Sequence, residues 1–154
     1  VAQNLISATA IDYEGNICEI KNQEFGFIYR GNNLTKKYIF TAGKFKINHS
    51  TTNEIAQKIS SLQEAREKAQ PIRAKTGGST FKNPLNKKAW ELIDAIGYRG
   101  KSIGDAQISQ KHCNFLININ KASAHDLISL GEEVRKKVFD EFKINLEWEI
   151  KILK

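Results

Sequence analysis

The sequence predicts an α+β fold, and three observations support this prediction. Short runs of aromatic and β-branched residues, typical of strands, fill the first third of the chain. Three later stretches have apolar residues at helical spacing, and near the C-terminus apolar and polar residues alternate as in a strand. With 154 residues and 40% hydrophobic content, the chain is about one domain in length and can bury a core.

The first 50 residues are predicted to form a sheet. The segment SATAIDYEGNICEI contains two strand-like runs separated by a Glu14-Gly15-Asn16 turn, and YIFTAGKFKI is rich in aromatic and branched residues. A sheet with so few strands can enclose only a small core. We therefore expect them to be the end of a larger domain whose beginning lies upstream.

A helix is predicted over residues 52–68. Thr51 and Glu54 have the spacing of a capping box, and Gln70-Pro71 ends the segment. The apolar stripe of this helix is formed by Ile55, Ile59 and Leu62.

The second half of the chain is predicted to contain a glycine-containing loop, a short helix over residues 89–96 and a glycine-rich loop, YRGKSIGDAQ. A strand over 115–119 follows, and then a long helix capped by Ser123 and Asp126. The alternation from Ile144 to Ile150 predicts a closing strand with one buried and one polar face.

Composition and charge narrow the class of protein. The net charge of +7 favours an anionic partner, such as a nucleotide, a nucleic acid or an acidic metabolite. The chain has no membrane-length apolar run and no signal-peptide pattern, and its two cysteines fit a reduced, cytoplasmic setting better than a disulfide scaffold. The three histidines have no paired spacing, so no metal site is predicted.

Ser79 is the first candidate for chemistry, because Gly77 and Gly78 before it let the backbone approach a ligand closely. Its hydroxyl could donate a proton from a loop, although a turn-capping serine is the commoner explanation of such a pattern. Asn83 begins an Asn-Pro turn just after it. Arg30 ends an apolar run and could bind a carboxylate or phosphate, or simply lie at the surface of a strand end.

A carboxylate near the C-terminus is the second candidate. Glu147 and Glu149 share the polar face of the predicted closing strand, and the alternation alone does not choose between them. Charged residues on a solvated edge strand would give the same pattern. In SQKHCNF, the polar side chains of Lys111, His112 and Asn114 suit recognition of a sugar or a base edge.

Several sequence blocks occur in the order of one known family. They are YR, then R-x-x-x-QP, GS-x-FKNP, A-x-x-LI-x-x-x-G, IG-x-AQ-x-S-x-KH-x-NF-x-x-N and LE-x-E. In these blocks, from about residue 8 to 151 and most densely from 78 to 118, the chain resembles the UDP-N-acetylenolpyruvoylglucosamine reductases, also called UDP-N-acetylmuramate dehydrogenases. The short connection before residue 52 resembles the subgroup without an extra tyrosine-bearing loop.

The resemblance implies a flavoenzyme of peptidoglycan synthesis in the bacterial cytoplasm. In that family NADPH reduces FAD, and the flavin reduces UDP-N-acetylglucosamine enolpyruvate. By resemblance, Ser79 would donate the proton, and Arg30 and Glu149 would polarise the substrate carboxylate. Substrate contacts would come from Tyr29, Asn83, Lys111, His112 and Asn114, and neither a nucleic acid nor a membrane is expected as a partner.

The resemblance also implies a domain division. Residues 1–50 would be the end of a β-rich FAD-binding domain, and residues 51–154 an α+β substrate-binding domain. Most FAD contacts would lie in a region that this sequence does not include, so the isolated chain is expected to be inactive. The chain departs from the family at Asn32, where serine is usual, at Asp105, where glycine is usual, and at Trp148, where proline is usual.

An RNA-binding module of the KH type is the alternative from another class. Gly97-Tyr98-Arg99-Gly100 reads as a GXXG loop after an apolar helix, and the chain is basic. A KH domain needs a helix directly after this loop, whereas the following GKSIGDAQIS has another glycine and a poor apolar stripe. The reductase is therefore the favoured interpretation.

Overall fold

The structure is a computed structural model that describes residues 2–153. The chain divides into two compact units, one up to Ile55 and a second from Ala56 onward. Together they contain helices and antiparallel sheets, which confirms the predicted α+β class. The division falls in the first helix, and the predicted boundary between a FAD-binding and a substrate-binding domain at residue 50 stays a prediction.

The first unit is a three-stranded antiparallel sheet in the order β2-β1-β3. Its strands are β1 (Leu5–Asp12), β2 (Ile17–Lys21) and β3 (Tyr38–Phe45), as the sequence predicts. The Asp12 side chain accepts hydrogen bonds from the backbone of Glu14 and Asn16, and Gly15 has a φ of +88° that few other residues adopt. These features explain the tight turn between β1 and β2.

One helix, α1 (Thr52–Ala69), spans the division between the units. Its bounds match the prediction, and Thr51 and Glu54 form the expected reciprocal contacts, because the Glu54 carboxylate accepts the Thr51 amide and the Thr51 hydroxyl accepts the Glu54 amide. Its apolar stripe remains 47–63% exposed, however, and no residue of α1 is buried. Helical periodicity predicted the helix correctly but not the burial of its face.

The second unit packs two helices against a four-stranded antiparallel sheet. The strand order is β4-β7-β6-β5, and the strands are β4 (Lys75–Ser79), β5 (Ser102–Ile103), β6 (Ala106–Ile108) and β7 (Phe115–Asn118). The helices are α2 (Ala89–Ala95) and α3 (Ala124–Phe142). The Ser123 hydroxyl accepts the amide of Asp126, which confirms the predicted cap. Leu130, Val134 and Val138 of α3 are buried in the core.

Three predictions of local structure were wrong. The loop before Ser79 is strand β4, and the glycine-rich loop after Tyr98 contains the β5–β6 hairpin. The predicted closing strand is an extended segment with a single bridge, between Trp148 and Phe81. The alternation correctly indicates which side chains are buried, since Leu146 is buried and Glu147 is exposed. It does not correspond to a strand with a ladder of hydrogen bonds.

Gly131 lies in the middle of α3 because the helix is crossed there by an indole. A Cβ at this position would lie 2.1 Å from the Trp148 ring. We predict that Gly131→Ala destabilises the second unit by about 1–3 kcal/mol through overpacking, although alanine favours helices over glycine. Urea unfolding followed by tryptophan fluorescence measures this change, and a stabilised variant would contradict the prediction.

Candidate functional site

Ser79 is the last residue of β4 and lies opposite Phe115 of β7. The pairing of β4 with β7 shifts register at Gly77-Gly78, which forms a bulge. Gly78 has a φ of +92°, and apart from Gly78 itself and its two chain neighbours no atom of residues 2–153 lies within 4 Å of the place where its Cβ would be. A ligand can therefore approach the backbone directly beside the half-buried Ser79.

The backbone after Ser79 is held by buried polar contacts. The Thr80 amide donates to the Asn114 carbonyl at 2.8 Å, and the Thr80 hydroxyl accepts the amide of Leu116 at 3.0 Å. The Asn114 side chain accepts the Phe81 amide at 3.0 Å and donates to the Phe81 carbonyl at 2.8 Å. Both polar atoms of this buried side chain thus bind protein backbone, and its predicted contact with a substrate stays a prediction.

The segment that carries Glu147 and Glu149 runs beside the residues that follow Ser79. The Glu149 amide donates to the Thr80 carbonyl at 2.8 Å, and the Lys82 amide donates to the Glu147 carbonyl at 2.9 Å. The Glu147 carboxylate is exposed and forms an ion pair with the Lys82 ammonium at 3.0 Å. Glu149 is half-buried, and its backbone lies next to the residue that follows Ser79.

Lys111 lies at one end of an open cleft in the second unit. Its ammonium donates to the Glu67 carbonyl at 2.7 Å and borders a cavity of about 460 Å³. An adjoining cavity of about 710 Å³ reaches Gly78 and is also lined by Arg66 and Gln70. No role was predicted for these two residues, although they belong to the R-x-x-x-QP block.

Asn83 and His112 are in contact with neighbouring protein groups. The Asn83 side-chain oxygen accepts the amide of Ala89, the first residue of α2. The His112 ring packs edge-on against Phe115, with 4.9 Å between ring centroids, and its Nδ1 accepts the Asn114 amide. Burial, together with the positive charge of Arg99, holds the pKa of His112 below its ordinary value of 6.5.

This lowered pKa makes the stability of the second unit depend on pH. The unfolded chain binds a proton at His112 more readily than the folded chain, so the stabilisation is complete above about pH 6.5 and is lost as the pH falls through the folded pKa. We predict that the free energy of unfolding falls less from about pH 7.5 to 5.5 in His112→Gln than in the unchanged protein. Urea unfolding monitored by the fluorescence of Trp90 and Trp148 measures this free energy at each pH. An equal change in the free energy of unfolding with pH in the two proteins would contradict the prediction.

Tyr29 and Arg30 lie at the tip of a tight turn in the first unit. Ile28 and Gly31 exchange backbone hydrogen bonds of 3.1 and 3.2 Å around this tip. Arg30 has a φ of +59°, which is uncommon for a residue other than glycine, and its guanidinium lies 5.4 Å from the centre of the Tyr29 ring. The turn presents an exposed aromatic ring and a cation together.

The described residues give little support to an RNA-binding loop, a metal site or a nucleophilic cysteine. Gly100 is followed by the β5–β6 hairpin rather than a helix, which removes the basis of the KH alternative. Between residues 2 and 153, no three His, Cys, Asp or Glu side chains are grouped to hold a metal, and no helix is long and apolar enough to cross a membrane. Burial raises the pKa of the Cys113 thiol to about 11, which makes it a poor nucleophile.

Comparisons with known proteins agree on one family. Residues 70–153 match the profile described as "UDP-N-acetylenolpyruvoylglucosamine reductase, C-terminal domain". Reductases of this name from Rickettsia massiliae and Rickettsia prowazekii are 48% and 47% identical over 96% of the chain. The chain spans about half the length of these curated relatives, 50% in both cases. The crystal structure of the Thermus caldophilus reductase matches with a TM-score of 0.79 and 34% identity, over 96% of this chain and 53% of that one.

Proposed function

The chain belongs to the UDP-N-acetylenolpyruvoylglucosamine reductase family, and we propose that it provides the substrate-binding and proton-donating part of such an enzyme. The observation that supports this most directly is the arrangement at Ser79. An open glycine backbone and a half-buried hydroxyl lie beside the segment that carries Glu149. The proposed substrate is UDP-N-acetylglucosamine enolpyruvate, and the proposed setting is peptidoglycan synthesis in the bacterial cytoplasm.

The proposed reaction reduces a carbon–carbon double bond next to a carboxylate. When bound, FAD that has been reduced by NADPH supplies the hydride. Hydride addition leaves negative charge on the α-carbon and the carboxylate, and the reaction ends when the α-carbon takes a proton. We assign that proton to the Ser79 hydroxyl, which sits at a strand end whose following residues are held by buried hydrogen bonds.

Charge stabilisation is the proposed task of Arg30 and Glu149. A guanidinium can bind both oxygens of the substrate carboxylate and offset the charge that develops there. Glu149 can donate a hydrogen bond to the enolate only when it carries a proton. The resemblance assigns this role to Glu149, the last residue of the LE-x-E block, whereas the exposed Glu147 carboxylate forms an ion pair with Lys82.

The described residues suit substrate binding better than cofactor binding. The open backbone at Gly78 could border a flavin ring beside Ser79. We assign no residue of the described chain to the FAD pyrophosphate, and we propose that FAD and NADPH are bound mainly by the part of the family fold that this chain does not span. We assign the substrate contacts to Tyr29, Asn83, Lys111, His112 and Asn114.

A completed enzyme tests the function. We define it as this chain joined to the flavin-binding half of the Rickettsia massiliae relative. It is expected to oxidise NADPH in a manner that depends on UDP-N-acetylglucosamine enolpyruvate and to form the lactyl ether product. Flavin that NADPH reduces normally but that never reduces this substrate would contradict the proposal.

A further inference from the structure

Trp148 holds the segment before Glu149 against helix α3 through a hydrogen bond. Its indole N–H donates to the Glu132 carboxylate at 2.7 Å, and Glu132 binds the Arg135 guanidinium at 2.8 Å. The Arg135 side chain also donates to the Leu146 carbonyl at 2.8 Å. Burial alone would raise the pKa of Glu132, but the hydrogen bonds from Trp148 and Arg135 outweigh it and hold the pKa below its ordinary value.

The Trp148 indole also occupies a space on the surface of α3 that any side chain larger than that of glycine at position 131 would fill. Because a Cβ at Gly131 would lie 2.1 Å from the ring, Trp148 is in direct contact with the helix backbone. On its other side the ring packs against Phe81, with 4.9 Å between ring centroids, and the two residues form a backbone bridge. Trp148 thus lies between α3 and the residues that follow Ser79.

The hydrogen bonds on either side of Trp148 set the register of its two neighbours. Lys82 donates to the Glu147 carbonyl, and Glu149 donates to the Thr80 carbonyl. A shift of the indole would therefore move Glu149 along the backbone of Thr80 and change its distance from Ser79.

We propose that Trp148, seated over Gly131 and held by Glu132, is a positioning residue that sets the place of Glu149 relative to Ser79. Its effect on catalysis rests on the proposed function, whereas its effect on the backbone does not. The two effects are measured separately.

Amide hydrogen exchange in this chain tests the backbone effect. In Trp148→Phe, we expect the amides of Glu149 and Lys82 to exchange at least about tenfold faster relative to the Ile108 amide in the β6 strand. The control is Val138→Ala, a core truncation on the same helix, which is expected to change all three amides together. Uniform acceleration in Trp148→Phe would overturn the proposal.

Kinetics of the completed enzyme test the catalytic effect. Trp148→Phe is expected to lower kcat about tenfold with little change in KM, because a small misplacement of a reacting group is costly. In a Glu149→Ala background the same substitution should change kcat by less than about twofold, since it acts through Glu149. Equal losses in both backgrounds would show a purely structural role and overturn the proposal.

Glu132 provides a second route should Trp148→Phe fold poorly. Its side chain is about half exposed, so we expect its replacement to disturb folding less than replacement of the indole does. Glu132→Ala should lower kcat in the same way, and Glu132→Gln should restore most of it, because an amide oxygen also accepts the indole N–H. Absence of this rescue would count against the proposal. A completed enzyme that fails to turn over without substitutions would contradict the proposed function, and amide exchange alone would then decide the positioning.

Discussion

Ser79→Ala is expected to abolish most reduction of the enolpyruvyl substrate while leaving reduction of the flavin by NADPH unchanged. The loss in kcat should be roughly 10²–10⁴-fold, the usual contribution of a positioned proton donor. The two half-reactions separate because the hydroxyl is needed only when the α-carbon takes its proton. Stopped-flow absorbance of the flavin in the completed enzyme follows both steps, first with NADPH and then with the substrate.

Ser102→Ala is the matched control for Ser79. It removes the same hydroxyl from an exposed position on β5, the strand farthest from β4 in the sheet. Both half-reactions should keep their rates in this variant. Equal loss of the two half-reactions in Ser79→Ala would show that the substitution disturbs the site as a whole, and would exclude Ser79 as the specific proton donor.

The sequence predicted the long helices because their apolar residues recur at helical spacing. The helix that begins after Ser123 has a buried apolar stripe and a complete capping box, and both signals are local. Strand β4 was missed because its sequence, KTGGS, has no aromatic residue, a single β-branched residue and two glycines, which are depleted in strands. Strands β5 and β6 contain two and three residues, too few for any period to be recognised.

The candidate site was only partly predictable for a related reason. From the residues alone, Ser79 was predicted to lie in a loop, and the alternation did not distinguish Glu147 from Glu149. The ion pair between Glu147 and Lys82 joins positions 65 residues apart in the chain. In the same way, a glycine ordinarily weakens the middle of a helix, and only the contact with Trp148 explains the presence of Gly131 in α3. Contacts of this kind follow from tertiary packing, which no local pattern records.

Glu149→Ala is expected to lower kcat by roughly 10²–10³-fold, the usual cost of removing a group that stabilises developing negative charge. Glu149→Gln should lose less, because its amide N–H can donate to the enolate as a protonated carboxyl does. Steady-state kinetics of the completed enzyme, with the enolpyruvyl substrate varied, measure both variants. KM should change little, since the negative charge on the α-carbon is present in the transition state and not in the bound substrate.

Glu147→Ala separates this role from a general effect of charge. Glu147 lies two residues away, is exposed and pairs with Lys82, and exposed ion pairs contribute little to stability. The variant should therefore keep nearly full kcat. If Glu147→Ala were as damaging as Glu149→Ala, the assignment would be wrong. A loss in Glu149→Gln as large as in Glu149→Ala would instead indicate that the side chain acts through its negative charge or by taking up a proton, because glutamine donates and accepts hydrogen bonds but does neither of these.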